Sequence, residues 1–406
     1  MVFAVAVFVL LFVIYFWSVR MRDLIQTWRK VPYIKLTSEV DLQENPPLIS
    51  VIVPAHNEQA AIEECIRSIL EQDYPCFELI VVDDRSTDAT LSIARSLCRG
   101  HPHCKVISII ELPQGWTGKC HALYKAVEHA SGEWLAFLDA DSKLERTALG
   151  HCYHEAVLHR VNLVTLIPKF VVRTFWDKVL QPVFAAMCCI LFPPGQVNDP
   201  ASPAALANGM FYMISRYAYG KIGGHSEVRD LAVEDVGIGK RVKAARLGIL
   251  MVNGRNIMQT RMYSGFKDTL NGWTRILSAC MNYKVRVVVK HLVLHVLMSP
   301  PVFVGALFFY VPKAIELWPG GWFVLPCMCL AGMSIVPYLF LGQMGLPRKY
   351  AVLLLLGNLL LIWVLAVILK KVLCKDALQW RGTTYHDCRY EPGRLDPASP
   401  QAYRRP

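Results

Sequence analysis

The stretch Trp134-Leu-Ala-Phe-Leu-Asp139-Ala-Asp141 decides how this 406-residue chain is read. An apolar run of strand length ends in two carboxylates separated by a single residue. Alternate side chains of an extended chain point the same way, so Asp139 and Asp141 converge just past the strand's C-terminal end. Two carboxylates at one point repel unless a cation sits between them. The pair therefore points to a hard divalent ion, Mg²⁺ or Mn²⁺, holding a phosphate-bearing substrate. Taken alone it has a plainer explanation, with Asp139 closing a loop and Asp141 capping the next helix. The flanking sequence has to separate the two.

Upstream, strand and helix patterns alternate. Leu48 to Val53 reads as a buried strand and Asn57 to Gln72 as an amphipathic helix with Ile62, Ile66, Ile69 and Leu70 on one face. The strand Phe77 to Val82, a helix from Asp88 to Cys98, the strand Lys105 to Ile110 and a helix Gly118 to Ala130 follow. Short connections between alternating elements predict an α/β fold with a mostly parallel sheet covered on both faces. Ligands of such sheets bind at the carboxyl ends of the strands. Three strands end there in polar clusters: Pro54-Ala55-His-Asn57-Glu58, Asp83-Asp84-Arg-Ser-Thr-Asp88, and Asp139 with Asp141. One acidic turn is commonplace, but three on one sheet edge describe a pocket for a nucleotide's base and ribose at one end and its metal-bound diphosphate at the other. The loop Leu112-Pro-Gln-Gly-Trp-Thr-Gly-Lys119 lets backbone approach a ligand closely, and Lys119 can offset phosphate charge. It is not a P-loop, which needs four residues between the glycines and Ser or Thr after the lysine; here Cys120 follows.

Composition adds a membrane. The chain is 54% hydrophobic and 18% charged, against a charged fraction of roughly 25% in soluble proteins. Residues 1–19 carry no charge before Arg20 and lack a basic start and a cleavage site, which reads as a retained N-terminal transmembrane anchor. Three further apolar runs, about His291 to Val311, Gly321 to Leu341 and Tyr350 to Leu369, define a membrane region at 286–370, followed by a polar tail at 371–406. Between them 20–285 is the α/β block. Arg20, Arg22, Arg29, Lys30 and Lys35 follow the first span and none precedes it, so the positive-inside rule puts the block in the cytosol. Thirteen cysteines with no CxxC pair favour free thiols over a disulfide framework. The net charge of +11 has no basic stripe interleaved with aromatics, so it suits anionic lipid headgroups and not nucleic acid. Residues 174–192, rich in Phe, Trp and Val on one side, suit either an interfacial helix or a core helix. Three crossings after a cytosolic block would put the tail outside, whereas Lys370, Lys371, Lys375 and Arg381 argue for inside. Pro300-Pro301 marks the first run as the candidate for a re-entrant turn.

In this order, Pro54-Ala-His-Asn-Glu58, Val82-Asp-Asp-Arg-Ser-Thr-Asp88, Gly115-Trp-Thr-Gly-Lys119 and Asp139-Ala-Asp141 resemble family 2 glycosyltransferases of the GT-A fold. Within that family the chain resembles membrane-bound lipid glycosyltransferases of the hopanoid-associated, carotenoid-acid and ceramide types. The resemblance extends to Ala207-Asn208-Gly209 through Arg216, similar to the strand that shapes the acceptor side, and to Val233-Glu234-Asp235, similar to the family's Glu-Asp pair whose aspartate is the general base. It implies a UDP-sugar donor at Pro54, Ala55, Asn57, Glu58, Asp83, Asp84, Lys119 and Asp139, a metal on Asp141 with Asp139, and a membrane lipid as acceptor. On residues alone, Glu234 and Asp235 equally suit the acidic first turn of a helix Val236 to Leu247. Gln259-Thr-Arg261-Met-Tyr263 and Gly272-Trp273-Thr-Arg275 depart from the Arg-Trp pattern of processive relatives. Arg261, Trp273 and Arg275 nevertheless suit the acceptor or diphosphate side. Gln379-Trp-Arg-Gly-Thr-Thr-Tyr385 resembles a tail segment of hopanoid and carotenoid relatives.

The expected activity is inverting, metal-dependent sugar transfer to a lipid hydroxyl. Two alternatives stand beside it: a polyprenyl-phosphate glycosyltransferase or polysaccharide synthase of the same fold, and a non-catalytic scaffold or transporter subunit. The last predicts intramembrane charges lining a path, and the apolar runs hold almost none.

Overall fold

The computed structural model describes residues 1–35, 40, 42, 44–262 and 265–374, together with the strand backbone of 378–380, 383–386 and 389–390. In chain order the elements begin with helix α1 (Val2–Arg29), β1 (Ile49–Ala55), α2 (Ile62–Leu70), β2 (Phe77–Asp84), α3 (Thr90–Cys98), β3 (Cys104–Ile109), α4 (Gly118–Glu128) and β4 (Trp134–Leu138). Next come β5 (Ser142–Leu144), α5 (Ala148–Leu158), β6 (Leu163–Ile167), β7 (Lys169–Phe170), α6 (Phe175–Leu191), α7 (Pro194–Val197), β8 (Phe211–Ser215) and α8 (Arg216–Lys221). After the 3-10 turn Gly224–Val228 follow α9 (Glu234–Ala244), β9 (Ile249–Asn253), β10 (Met258–Thr260), α10 (Phe266–Cys280), α11 (Val285–Leu297), α12 (Pro300–Leu317), α13 (Val324–Gln343) and α14 (Leu353–Cys374). They form two compact units. A helical unit comprises Met1–Lys30, Val172–Leu191 and Tyr263–Cys374, and a sheet unit comprises Val31–Val171, Phe192–Met262 and Lys375–Pro406.

The sheet unit is built on seven strands in the order β3-β2-β1-β4-β8-β6-β9. β1, β2, β3 and β4 pair in parallel, as do β6 and β9, while β8 runs antiparallel between β4 and β6. The mostly parallel sheet is thus present, with one antiparallel strand added. Ile49, Val51, Ile52 and Val53 of β1 and Leu79 to Val82 of β2 are inaccessible to solvent, as expected of strands covered on both faces. Strand order reverses between β1 and β4, which makes the gap at their carboxyl ends a topological switch point. Pairing of β1 with β4 stops at Ile52↔Phe137, so Pro54 lies where its missing N–H costs no ladder bond to β4.

Several boundaries differ from expectation. α2 starts at Ile62 and not Asn57, because Asn57 adopts a left-handed φ of 57°. α3 starts at Thr90, whose N–H donates to Asp88 Oδ1 at 3.0 Å. Asp141 does not cap a helix: it leads into β5, which pairs with β10, and the next helix, α5, begins at Ala148. Cys98 and Cys104 are disulfide-linked across the α3–β3 turn, against the expectation of free thiols, since the short turn brings their Cα atoms to 5.4 Å.

Among the described residues five helices are long and apolar enough to cross a membrane: Val2–Arg29, Phe175–Val197, Pro300–Leu317, Val324–Gln343 and Arg348–Cys374. The first is longer than the 1–19 run. The run expected at 291–311 is broken at Ser299 into α11 and α12, with prolines in the first turn of α12, where a missing N–H is harmless. α10 groups with the helical unit, although the sequence boundary at 285 put it in the α/β block. α6 packs on α10 through Trp176 on Phe266 (4.5 Å) and Phe184 stacked on Trp273 (4.7 Å). Strands β6 and β8, before and after α6, are directly hydrogen-bonded, so a single bilayer crossing by α6 would tear one sheet apart. Its apolarity therefore serves packing or a return to the same face, not a lone traverse.

One buried carboxylate ties the sheet together. Glu78 on β2 accepts from Ser50 Oγ of β1 (2.8 Å), Lys105 Nζ of β3 (2.9 Å) and the Ser131 N–H ahead of β4. Burial opposes its charge, but these three donors outweigh that and hold its pKa below the usual value. Its contribution is therefore present above the unfolded value of about 4.3 and lost as pH falls through the folded one. Glu78→Ala should cost about 2–3 kcal/mol at neutral pH, seen as a lowered melting temperature. The gap to wild type should close in melts taken below about pH 4.

Candidate active site

The loops after β1 and β2 are zipped together. His56 Nδ1–H donates to the Asp84 carbonyl (2.5 Å), Asn57 Oδ1 accepts from the Thr87 N–H (2.8 Å), and the Glu58 N–H donates to Thr90 Oγ1 (2.8 Å). Pro54, Ala55, Asn57 and Glu58 are thereby held beside Asp83 and Asp84, which pair across the strands as Ala55↔Asp83. Asp83 is buried and its Oδ1 accepts no hydrogen bond. Asp84 is gripped by the Arg85 guanidinium at 2.8 and 3.2 Å. The first residue of α4, Gly118, lies so close that a Cβ there would stand 2.2 Å from Asp84 Oδ2. The glycine of the Gly115-Trp-Thr-Gly118 loop is thus required by an aspartate of the neighbouring strand end.

Thr117 caps α4, accepting from the Cys120 N–H, and so fixes Lys119 in the first turn. Lys119 Nζ lies 2.8 Å from Asp139 Oδ1 and 2.9 Å from Glu234 Oε1. Burial disfavours its charge, but Asp139, Glu234 and Asp235 outweigh that and hold the ammonium well above its ordinary pKa. Asp235, at the start of α9, accepts from the Gly209 N–H and its own neighbour Val236 N–H, both at 2.8 Å. Burial first, and then the adjacent charge of Glu234, push Asp235 up to about 7. Glu234 moves the other way: burial would raise it, but Lys119 outweighs that and keeps it ionised.

Asp141 Oδ1 lies 3.3 Å from Thr260 Oγ1 and 3.4 Å from Ser142 Oγ, and the Arg261 N–H donates to its carbonyl at 3.3 Å. The β5–β10 pairing thus delivers Arg261 to the DxD turn. Buried Cys65 lies under the same turn, its Sγ 3.9 Å from the Asp139 carbonyl. Burial raises its pKa first, followed by the charges of Asp141, Asp139, Glu58 and Glu64 around it. Among the described residues no three His, Cys, Asp or Glu side chains form a ready metal cage. Mg²⁺-type sites on nucleotides use one or two carboxylates and take the remaining ligands from phosphate and water. Asp141 with Asp139 fits that set.

Not every expected residue converges here. Asn208 is committed to the fold, its N–H on Thr165 Oγ1 and its Nδ2 on the Leu166 carbonyl, both at 2.8 Å. Trp273 and Arg275 belong to α10 of the helical unit, where the Trp273 ring is buried against Phe184. Tyr263 lies outside the described residues, as does Arg381-Gly382 of the tail motif.

Residues 50–218 match the family described as glycosyl transferase family 2. The chain carries a family 2 glycosyl transferase domain. Glu234 and Asp235 lie beyond the matched stretch, so their place in the site rests on the contacts with Lys119 and Gly209. The chain is 28% identical over 241 residues to 4,4'-diaponeurosporenoate glycosyltransferase of Staphylococcus aureus, an alignment that covers 58% of this chain and 62% of the relative. It therefore spans about three-fifths of the length of the curated relatives it matches. Among solved structures it is similar to a mannosyltransferase from Pyrobaculum calidifontis in complex with GDP-Man and Mn²⁺ (TM-score 0.48, 21% identity, covering 88% of this chain and 99% of that one). It is also similar to glucosyl-3-phosphoglycerate synthase from Mycobacterium tuberculosis in complex with Mn²⁺, UDP and glucosyl-3-phosphoglycerate (TM-score 0.38, 23% identity, covering 60% and 88%).

Sequence reading missed the ion pair between Lys119 and Glu234 and the seat of Asp235 on Gly209. The Lys-Gly spacing showed a cation for phosphate, but its carboxylate partner is 115 positions away along the chain, beyond any periodicity signal. A Cβ on Gly209 would lie 2.7 Å from Asp235 Oδ2. Gly209→Ala should therefore displace that carboxylate and cost about 1–3 kcal/mol, as overpacking does. Gly220→Ala, with nothing within 4 Å of the added carbon, is the control expected to melt as wild type.

Proposed function

We propose that the chain is an inverting, metal-dependent glycosyltransferase that moves a sugar from a UDP-sugar to a hydroxyl of a membrane lipid. The observation that carries this reading is Asp235: a half-buried carboxylate seated on two backbone N–H groups, pushed up to about 7 and standing beside a lysine that reaches the DxD turn. A general base works best with a pKa near the working pH, and this one is poised to take a proton at neutrality.

In this reading Pro54, Ala55, Asn57, Glu58, Asp83 and Asp84 receive the base and ribose at the β1/β2 strand ends. Lys119 and the backbone at Arg261 lie on the diphosphate side. Asp141, with Asp139, would hold the Mg²⁺ or Mn²⁺, whose charge stabilises the departing diphosphate. Asp235 accepts the proton of the acceptor hydroxyl as its oxygen bonds to the anomeric carbon. The bond from that carbon to the diphosphate oxygen breaks in the same displacement, which inverts the configuration. Glu234, kept ionised by Lys119, maintains the raised proton affinity of Asp235 through its adjacent charge. Trp273 and Arg275 have no step in this scheme.

A lipid acceptor is supported by the candidate spans of the same chain and by the relative named for diaponeurosporenoate. Residues 1–19 would anchor the chain and the sheet unit would face the cytosol, because the basic residues from Arg20 to Lys35 follow the first span.

Asp235→Asn should lower transfer by at least ~10²-fold while UDP affinity stays unchanged; normal turnover with purified acceptor would remove Asp235 from its role. In the wild type kcat/KM should rise with pH through about 7 and then level, since the base must be deprotonated. Calorimetry with UDP, with and without Mn²⁺, should show metal-dependent binding that Asp141→Ala abolishes. Binding indifferent to Mn²⁺ would argue against a metal at the DxD turn.

A further inference from the structure

One buried polar group of the sheet unit takes no part in that scheme. His225, in the 3-10 turn Gly224–Val228, is sealed from solvent together with Tyr212 and Tyr219. Its backbone N–H donates to the Tyr219 hydroxyl oxygen at 3.0 Å. Its Nδ1 lies 2.8 Å from that oxygen and its Nε2 3.0 Å from the Tyr212 hydroxyl. The Tyr219 oxygen receives the backbone proton, which leaves its own proton for Nδ1. Nε2–H then donates to Tyr212, and every ring nitrogen is satisfied with the imidazole neutral. Burial enforces the same state, holding the imidazole pKa down to about 3. A fully satisfied buried network of this kind specifies one arrangement of the elements that meet in it.

The elements that meet here are those of the site. Phe137 stands edge-on to the imidazole at 5.0 Å and packs on Tyr212 at 4.8 Å, two residues before Asp139. Tyr212 follows three residues after Gly209, whose N–H holds Asp235. At its far end the turn is tied to α4 on both sides of Lys119. The Thr117 N–H donates to the Arg229 carbonyl at 2.8 Å and the Cys120 thiol to the Val228 carbonyl at 3.4 Å. The charged groups that face the imidazole are Glu234 of α9 and Lys119 of α4, which are also the ones that face Asp235.

We propose that His225 is a positioning residue: its neutral, doubly hydrogen-bonded ring locks the Gly224–Val228 turn so that Lys119 is held on Glu234 beside Asp235. This rests on the reading of Asp235 as the base. Loosening the turn lets Lys119 withdraw, and Asp235 then feels more of the Glu234 charge and binds its proton more tightly.

The test is sugar transfer by the full chain in nanodiscs carrying His225→Phe, which keeps the bulk and removes both ring hydrogen bonds. The expected result is a kcat lower by about tenfold or more, as misplacement of catalytic groups produces. The donor KM should stay within about threefold, and the acidic limb of the pH–rate profile should move up by about half a unit or more. His225→Gln, which keeps a donor and an acceptor, should recover most of the loss. A folded His225→Phe with wild-type kcat and an unmoved limb overturns the proposal. If His225→Phe does not fold, Tyr219→Phe and Tyr212→Phe, each lacking one hydroxyl, are judged by the same two outcomes. Should the wild type transfer no sugar, the functional reading fails by itself. The titration of the Asp235 carboxyl is then followed by ¹³C NMR of aspartate-labelled chain. An upward shift in the His225 or tyrosine variants supports the positioning role, and an unmoved midpoint overturns it.

Discussion

The candidate site depends on one ammonium group. Lys119 Nζ lies within 2.9 Å of carboxylates from two distant segments, Asp139 after β4 and Glu234 at the head of α9, with Asp235 next in line. Three carboxylates could not converge in a partly buried site without a cation, because like charges at such distances cost several kcal/mol at a protein's effective dielectric. The lysine also sorts the acids. It contacts Glu234 directly and keeps it ionised, while Asp235, half-buried and seated on backbone N–H groups, is raised by desolvation and by the Glu234 charge. Two adjacent acids thereby shift in opposite directions, Glu234 down by its contact with the cation and Asp235 up by desolvation and the charge of Glu234.

The sheet makes that placement possible. Reversal of strand order between β1 and β4 opens a crevice, and the loops bordering it are bonded to each other. The antiparallel β8 brings Gly209 back beside the DxD strand and so seats Asp235 from the other side. The same strand constrains the membrane reading. Because β6 and β8 flank α6 in sequence and pair in space, the apolar α6 is barred from the role its hydropathy suggests.

Much of this was legible beforehand, and for identifiable reasons. Alternating β and α patterns placed Asp83, Asp84 and Pro54 on the same sheet edge, whereas Asp139 and Asp141 stand on a turn closed by the Ser142 N–H on the Asp139 carbonyl at 3.1 Å, where the period-two rule of an extended chain does not apply. Local rules failed where side chains captured backbone. Asn57 turned left-handed and delayed α2, and Asp88 held the Thr90 N–H and delayed α3. They also failed for α10. The boundary at 285 put it in the α/β block, but its apolar face packs on α6 in the helical unit. Apolarity records that a segment leaves water and not what it packs against.

The amino-acid sequence by itself determined the strand ends, their acidic residues, the apolar segments and the cation in the glycine-bearing loop, because each is written in spacing over a few neighbouring residues. Only the tertiary structure decided which acid meets Lys119, that Asp235 rests on Gly209, and that His225 with its two tyrosines sits behind them. Those contacts join segments up to about a hundred residues apart. Their chemistry comes from burial and from the charges nearby, which exist only once the sheet has brought the segments together.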